Sequence, residues 1–385
     1  MVQRKIHVLQ MIGEFTSGGA ESVVVNLANN IDQSQFKLTF TARKNGPVST
    51  SLPNNSDLVI IPKKNGFDPY HLALLVQLIR RNDIDIVHSH LFGPNLFGFL
   101  AAKITGRKII QTIHGRDCFG TIKRLWAYRF MMPWVDYIVS VSEPLEVELR
   151  KKLKINKAQI KTIHNGVALN KLNRPVDREG KLRCIGLPTN CKIIGAVGNI
   201  KPIKGYDVLL KALLILKKRK TPNFILAIVG EVFPKHEYYK KMLDDFIKKN
   251  DLEDQVLFLG YRQDVKEILS LFDLYVLPSR SEGLSMSLLE AMAACKPVIV
   301  TDVGMNSRII KNFSNGLIVE SESAESIAEG IIKVLKDEDF AIKIAINALK
   351  TIQEKYSDKQ MAYEYMSLYK AVLNTQIKNK WATKC

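Results

Sequence analysis

The stretch "IIGAVGNIKPIKGYDVLLKALLIL" (residues 193–216) decides the architecture. Five small apolar residues run into Gly198, as a strand does. A polar loop carrying Lys201 and Lys204 follows, then Gly205 and a helical pattern of apolar residues. The same rhythm recurs along all 385 residues. In the first half, strands are expected over 6–12, 37–42, 58–60, 84–88, 109–112, 137–140 and 160–164. Helices are expected between them over 21–30, 69–81, 95–105, 123–132 and 145–153. In the second half, strands are expected over 193–197, 224–229, 256–259, 274–277, 297–301 and 317–319. The matching helices are 206–219, 237–250, 265–271, 285–294, 324–336 and 340–354. Apolar strands alternating with helices imply parallel sheets covered on both faces. The chain therefore reads as α/β, with two Rossmann-like, doubly wound domains. Their expected bounds are 1–170 and 191–355, joined by a polar linker over 171–190 and followed by a helical tail over 356–385.

Composition narrows the class. Hydrophobic residues make up 46% of the chain, enough for packed cores. No apolar run approaches the ~18 residues that would cross a bilayer. The N-terminus reads as a first strand rather than a leader. Five scattered cysteines (118, 184, 191, 295 and 385) form no CxxC pair, which fits a reducing, cytoplasmic setting. The net charge is +18. Residues 1–170 hold 22 Lys and Arg against 12 Asp and Glu, and the rest hold 34 against 26. Such a surplus favours an anionic partner. No recognition helix, zinc spacing or stacking motif points to nucleic acid. The segment "TIKRLWAYRFMMPWV" (121–135) mixes basic and aromatic residues. It reads either as a helix packed on its sheet or as an interfacial helix placing the basic N-terminal domain on the inner face of the plasma membrane.

Ligands of open parallel sheets bind beyond the carboxyl ends of the strands, so the loops there carry the candidates. Gly18-Gly19 lead into a helix with Glu21 in its first turn, a backbone suited to an anion. G-x-G-x-x-G is absent, so a dinucleotide site is not supported. His88, His90 and His114 cluster near strand ends; no Cys or carboxylate completes a zinc set, and a polar or catalytic role suits His114 better. Lys201 and Lys204 form a second anion cradle. In "RSEGLSMSLLEAMAACKPVIV" (280–300), Glu282 and Glu290 flank a helix start. Either Ser287 caps the helix with Glu290 as capping-box partner, or the helix starts near Ser285. In the second case its amides hold phosphate between two carboxylates that accept ligand hydroxyls.

Taken in order, "GGAESVVVNLA", "VHSH", "TIHG", "VSEP", "HNGV", "KPIKGYDVLLKAL", "FLGYRQDVKEILSLFDLYVLPSRSEG", "SEGLSMSLLEAMA" and "KPVIVTDVGMNSRII" resemble a retaining glycosyltransferase of family 4. "SEGLSMSLLEAMA" matches that family's E-x7-E motif. The resemblance implies the GT-B fold, with two Rossmann-like domains facing a central cleft, and a nucleotide-sugar donor, UDP by default. It implies a glycan or lipid-linked acceptor in surface polysaccharide synthesis, and no metal or cofactor. By the same resemblance Glu282 contacts the donor sugar and Glu290 the ribose. Lys204 holds the diphosphate with amides near Gly283, Leu284 and Ser285; Gly18 and Gly19 lie beside the donor phosphate. His114 contacts the transferred sugar, Tyr261 and Arg262 border the base, and the tail crosses back to the first domain. His88 and His90 are expected on the acceptor side. Asn199 stands where the family usually has Arg. That departure keeps a non-catalytic partner in view beside a UDP-sugar 2-epimerase-like enzyme.

Overall fold

A computed structural model of the chain describes residues 4–16, 18–169, 177–219 and 223–382. It divides into two compact units, Met1–Gly166 with Asp358–Cys385, and Val167–Ser357.

In unit 1 the strands are β1 (Ile6–Met11), β2 (Phe36–Ala42), β3 (Asp57–Ile60), β4 (Ile86–His90), β5 (Lys108–Ile113), β6 (Tyr137–Ser140) and β7 (Ile160–Thr162). They form one sheet in the order β3-β2-β1-β4-β5-β6-β7, and every pairing is parallel. The intervening helices are α1 (Gly19–Asn30), α2 (Pro69–Arg81), α3 (Phe92–Thr105), α4 (Ile122–Met131) and α5 (Glu143–Leu153). β4 is buried along its whole length, so it shows no two-residue alternation. It also ends at His90, two residues beyond the expected strand end.

Unit 2 opens with helix α6 (Arg178–Cys184). Its strands are β8 (Lys192–Val197), β9 (Phe224–Val229), β10 (Val256–Gly260), β11 (Leu274–Leu277), β12 (Val298–Thr301) and β13 (Leu317–Val319). The sheet order is β10-β9-β8-β11-β12-β13, again all parallel. The helices are α7 (Tyr206–Lys218), α8 (Glu237–Lys249), α9 (Val265–Leu271), α10 (Met286–Ala293), α11 (Asn306–Ile309), α12 (Ala324–Lys336) and α13 (Glu338–Lys355). α7 buries Val208, Leu209, Leu210, Ala212, Leu213 and Leu216 in the core beside β8 and β9. The strand order reverses direction at β1/β4 in one sheet and at β8/β11 in the other. Such switch points open a crevice at the strands' carboxyl ends.

The stretch expected as linker is only partly described, and residues 177–190 are not loose. Asp177 caps α6 through the Gly180 N–H, Arg178 pairs with Asp273 at 2.8 Å, and Lys181 pairs with Asp264 and Glu267. Its polarity is that of a capped, ion-paired helix belonging to unit 2. The chain passes into unit 2 at Val167 and leaves it at Ser357, and these two residues form a parallel bridge. The last helix, α14 (Asp358–Ala382), then packs on α1 of unit 1. Tyr365 and Tyr369 of α14 are fully buried there.

Candidate functional site

Unit 2 gathers its candidates at the β8/β11 switch. The loop after β8 bends at Gly205, whose φ of +68° favours glycine. A Cβ at Gly205 would lie 2.1 Å from the Pro278 carbonyl, so the two loops touch backbone to backbone. The contact aims Lys204 at the loop after β11. Lys204 Nζ donates to Glu282 Oε1 at 2.7 Å, and the Ser279 hydroxyl donates to the same oxygen at 2.6 Å. Both charged side chains are largely covered, with side-chain exposures of 15% and 12%. A charge-assisted bond of this kind contributes about 1.5–3 kcal/mol. Glu282 Oε2 has no partner among the described residues.

Arg280, which no sequence motif singles out, locks this geometry. Its guanidinium grips Asp207 with two bonds of 2.8 Å, also donates to Pro202 O and Glu322, and its N–H donates to Ile203 O. The loop bearing Lys204 is thereby fastened to the loop bearing Glu282. A lone Arg before "SEG" gives no sequence signal for this, because Asp207 and Glu322 lie far off in the chain.

The two readings of residues 280–294 resolve in favour of the earlier start. Ser285 is the N-cap of α10, and its hydroxyl accepts from the Leu288 N–H. Ser287 is instead inside the helix, where its Oγ accepts from the Tyr275 hydroxyl. Gly283, Leu284 and Ser285 therefore lead directly from Glu282 into a helix N-terminus, which carries partial positive charge. Glu290, about one turn further along α10, is half-buried, and its carboxylate has no partner among the described residues. Burial pushes this carboxyl up, with Lys266 opposing. Asn199 sits in the turn after β8. Arg262, expected to border the base, forks its guanidinium onto Asp264, the residue before α9, with two bonds of 2.8 Å. Tyr261 beside it remains 38% exposed.

In unit 1, Gly18 precedes α1 and Gly19 is its first residue. Glu21 curls back over this glycine pair; a Cβ at Gly18 would meet Glu21 Oε2 at 2.2 Å. The Glu21 carboxyl is buried, accepts from its own N–H, and is pushed up to about 7 mainly by desolvation.

The histidines require a correction. His88 and His90 lie inside β4 and are wholly buried, so neither can meet an acceptor. They belong to a polar chain running under α14. Gln10 Nε2 donates to the Tyr369 hydroxyl at 2.9 Å, and that hydroxyl bonds to His88 Nδ1 at 2.7 Å. His88 Nε2 bonds to Thr112 at 2.8 Å, whose hydroxyl meets Tyr365 at 3.1 Å. Gln10 Oε1 accepts from His90 Nε2 at 3.0 Å. With that nitrogen protonated, His90 Nδ1 is the acceptor, and His114 Nε2 donates to it at 2.9 Å. These tautomers are assigned from the network. His114 is left with a bare Nδ1, buried and without a partner among the described residues. Burial holds His114 at about 4 and His88 at about 3, and His90 well below its ordinary value, so all three stay neutral near pH 7.

Residues 177–351 match the family described as glycosyl transferases group 1, and residues 17–171 match glycosyltransferase family 4. The chain is 25% identical over 336 residues to the UDP-Gal:alpha-D-GlcNAc-diphosphoundecaprenol alpha-1,3-galactosyltransferase of Escherichia coli, covering 83% of this chain and 85% of that protein. It is 30% identical over 287 residues to an uncharacterized glycosyltransferase of Methanocaldococcus jannaschii, covering 73% of each. The crystal structure of Anabaena Alr3699/HepE in complex with UDP and glucose has a TM-score of 0.85 at 19% identity, covering 95% of this chain and 100% of that one. At that identity the likeness carries the fold.

Proposed function

Because the chain belongs to glycosyltransferase family 4, we propose that this glycosyltransferase moves a hexosyl unit from a UDP-activated sugar to a glycan or lipid-linked acceptor, with retention of configuration. The observation that carries the reading is the meeting of Lys204 and Glu282 at the β8/β11 switch, immediately before the N-terminus of α10. One cation and a set of helix amides stand where the diphosphate's charge grows as it leaves. Glu282, held by Lys204 and Ser279, keeps one oxygen for a sugar hydroxyl. Glu290 supplies a hydroxyl acceptor for the ribose, and Tyr261 borders the base. In unit 1, the amides at Gly18 and Gly19 suit a phosphate, and the bare Nδ1 of His114 accepts from a sugar hydroxyl.

In the proposed reaction the bond between the anomeric carbon and the diphosphate oxygen breaks. The acceptor hydroxyl bonds to that carbon on the same face. Its proton passes to the departing diphosphate oxygen. Lys204 and the α10 amides stabilise the leaving charge, which is the work a metal ion does in other phosphate chemistry. UDP is favoured because the Escherichia coli relative is named for a UDP-sugar and the Anabaena structure contains UDP. The same relative's diphosphoundecaprenol substrate favours a lipid-linked acceptor and work at a membrane surface.

A thermal-shift series with UDP-, GDP- and ADP-sugars, followed by NMR of the product, tests this reading. The expected result is selective stabilisation by UDP-sugars, an unchanged anomeric configuration, and turnover that survives EDTA. An inverted product, or turnover abolished by EDTA, overturns it.

A further inference from the structure

We propose that the outer face of α4 is a docking surface for an anionic lipid bilayer. This deepens the reading of a membrane-presented acceptor, on which it rests, by naming the surface that meets the membrane. α4 is anchored from one side only. Tyr128 and Met131 are buried, and the Tyr128 hydroxyl accepts from Asn95 at 3.0 Å. The opposite side carries Ile122, Trp126 and Phe130, spaced four residues apart and therefore on one face, and Trp134 follows in the short 3-10 turn that ends the segment. Their exposures are 65%, 62%, 71% and 62%. A helix whose largest side chains face outward is not explained by packing on its sheet.

Charge selects the occupant. Lys123 lies on α4, and Arg129 sits with its guanidinium 5.6 Å from the Trp126 ring centre. Arg129 Nε also donates to Lys152 O, which brings the end of α5 alongside. Residues 149–162, running from that end, hold six Lys and Arg and no acid. Two copies of this chain meeting through the face would bring these like charges together. A bilayer rich in acidic headgroups meets the basic rim with opposite charge and takes the aromatic rings at its interface, where Trp is favoured.

The test uses the full chain with vesicles of phosphatidylcholine, with and without phosphatidylglycerol. Wild type should co-sediment with the acidic vesicles, and salt should weaken the association. W126S/F130S/W134S should reduce partitioning at least tenfold, and K123E with K154E should reduce it severalfold. Y238S, which removes an equally exposed ring from unit 2, should change nothing. The chain holds three tryptophans, 126, 134 and 381. In a W381F background their emission should shift to the blue on adding acidic vesicles. Thermal shift with the UDP-sugar shows that each variant is folded, and it reads the donor reaction separately from docking. Docking that persists in the triple-serine variant, equal docking to neutral vesicles, or a dimer that the triple variant breaks up would each overturn the proposal.

Discussion

At Lys204 one ammonium is both a structural partner and the proposed electrophilic group. Its bond to Glu282 is part-buried, so its loss is felt at the site more than in the fold. Lys204→Met should lower donor turnover on the order of 10²–10³-fold, the usual effect of removing one preorganised donor. The melting temperature should also fall, reflecting no more than about 1.5–3 kcal/mol of lost stability, because Ser279 still holds Glu282; steady-state kinetics with calorimetry separates the two effects. Glu21 makes a different prediction. Folding raises its carboxyl from 4.5 to about 7, through burial first and the nearby Glu14 last. Between those two pH values the folded chain keeps a proton that the unfolded chain has released. Raising the pH through that window therefore costs stability, and above about 7 the loss is complete and constant. Each tenfold change in proton affinity is worth about 1.36 kcal/mol, so the loss is on the order of 3 kcal/mol. Glu21→Gln should remove it: the variant should gain stability relative to wild type at pH 8 but not at pH 4. Melting curves at both pH values check the sign.

Loops between elements carried the readable part of the site, because in a parallel sheet every strand delivers its next loop to the same end. "IIGAVG" followed by "YDVLLKALLIL" placed Lys204 at the end of β8, and "LYVL" followed by "SEG" placed Glu282 at the end of β11, so their meeting could be anticipated. The histidines could not be placed the same way. A polar "HSH" looks like the exit from a strand, yet all three residues are still paired and fully buried at the carboxyl end of β4. Its polarity is satisfied by Tyr369, which lies 281 residues along the chain from His88. Arg280 was hidden for the same reason, its partners being 73 and 42 residues distant. At element scale the decisive residue is Gly205. It combines a left-handed φ with a backbone approach that leaves no space for a methyl group. Gly205→Ala should cost about 1–3 kcal/mol through strain and should weaken donor binding by parting the loops that hold Lys204 and Glu282. Calorimetry and donor titration should show both losses in one variant. Normal binding with a lowered melting temperature would mean that the loop contact serves the fold alone.

At the scale of the whole molecule, the two units differ in how their cores are supplied. Unit 2 is continuous from Val167 to Ser357. Unit 1 is completed by α14, which arrives only after unit 2 has been made. α14 buries Met361, Tyr365, Leu368, Tyr369 and Val372 against unit 1. Large apolar side chains contribute roughly 1.5–3 kcal/mol each on burial, so the five together contribute roughly 7–15 kcal/mol. That matches the entire stability of a typical domain. Removing the helix also strips Gln10, His88 and Thr112 of the Tyr hydroxyls they bond, and buried polar groups without partners are costly. A chain ending at Ser357 should therefore keep unit 2 folded and lose unit 1. Limited proteolysis with mass spectrometry should recover a protected fragment running from near residue 177 to 357, while peptides from β1 to β7 are cut quickly. Calorimetry should show one transition where the full chain shows unit 1 melting as well. Tyr369→Phe grades the same argument: losing one hydroxyl that serves Gln10 and His88 should cost about 1–3 kcal/mol, with unit 1 still folded. If the truncated chain protects β1–β7 as well as the full chain does, α14 is only an appendage and its buried tyrosines are not what completes unit 1.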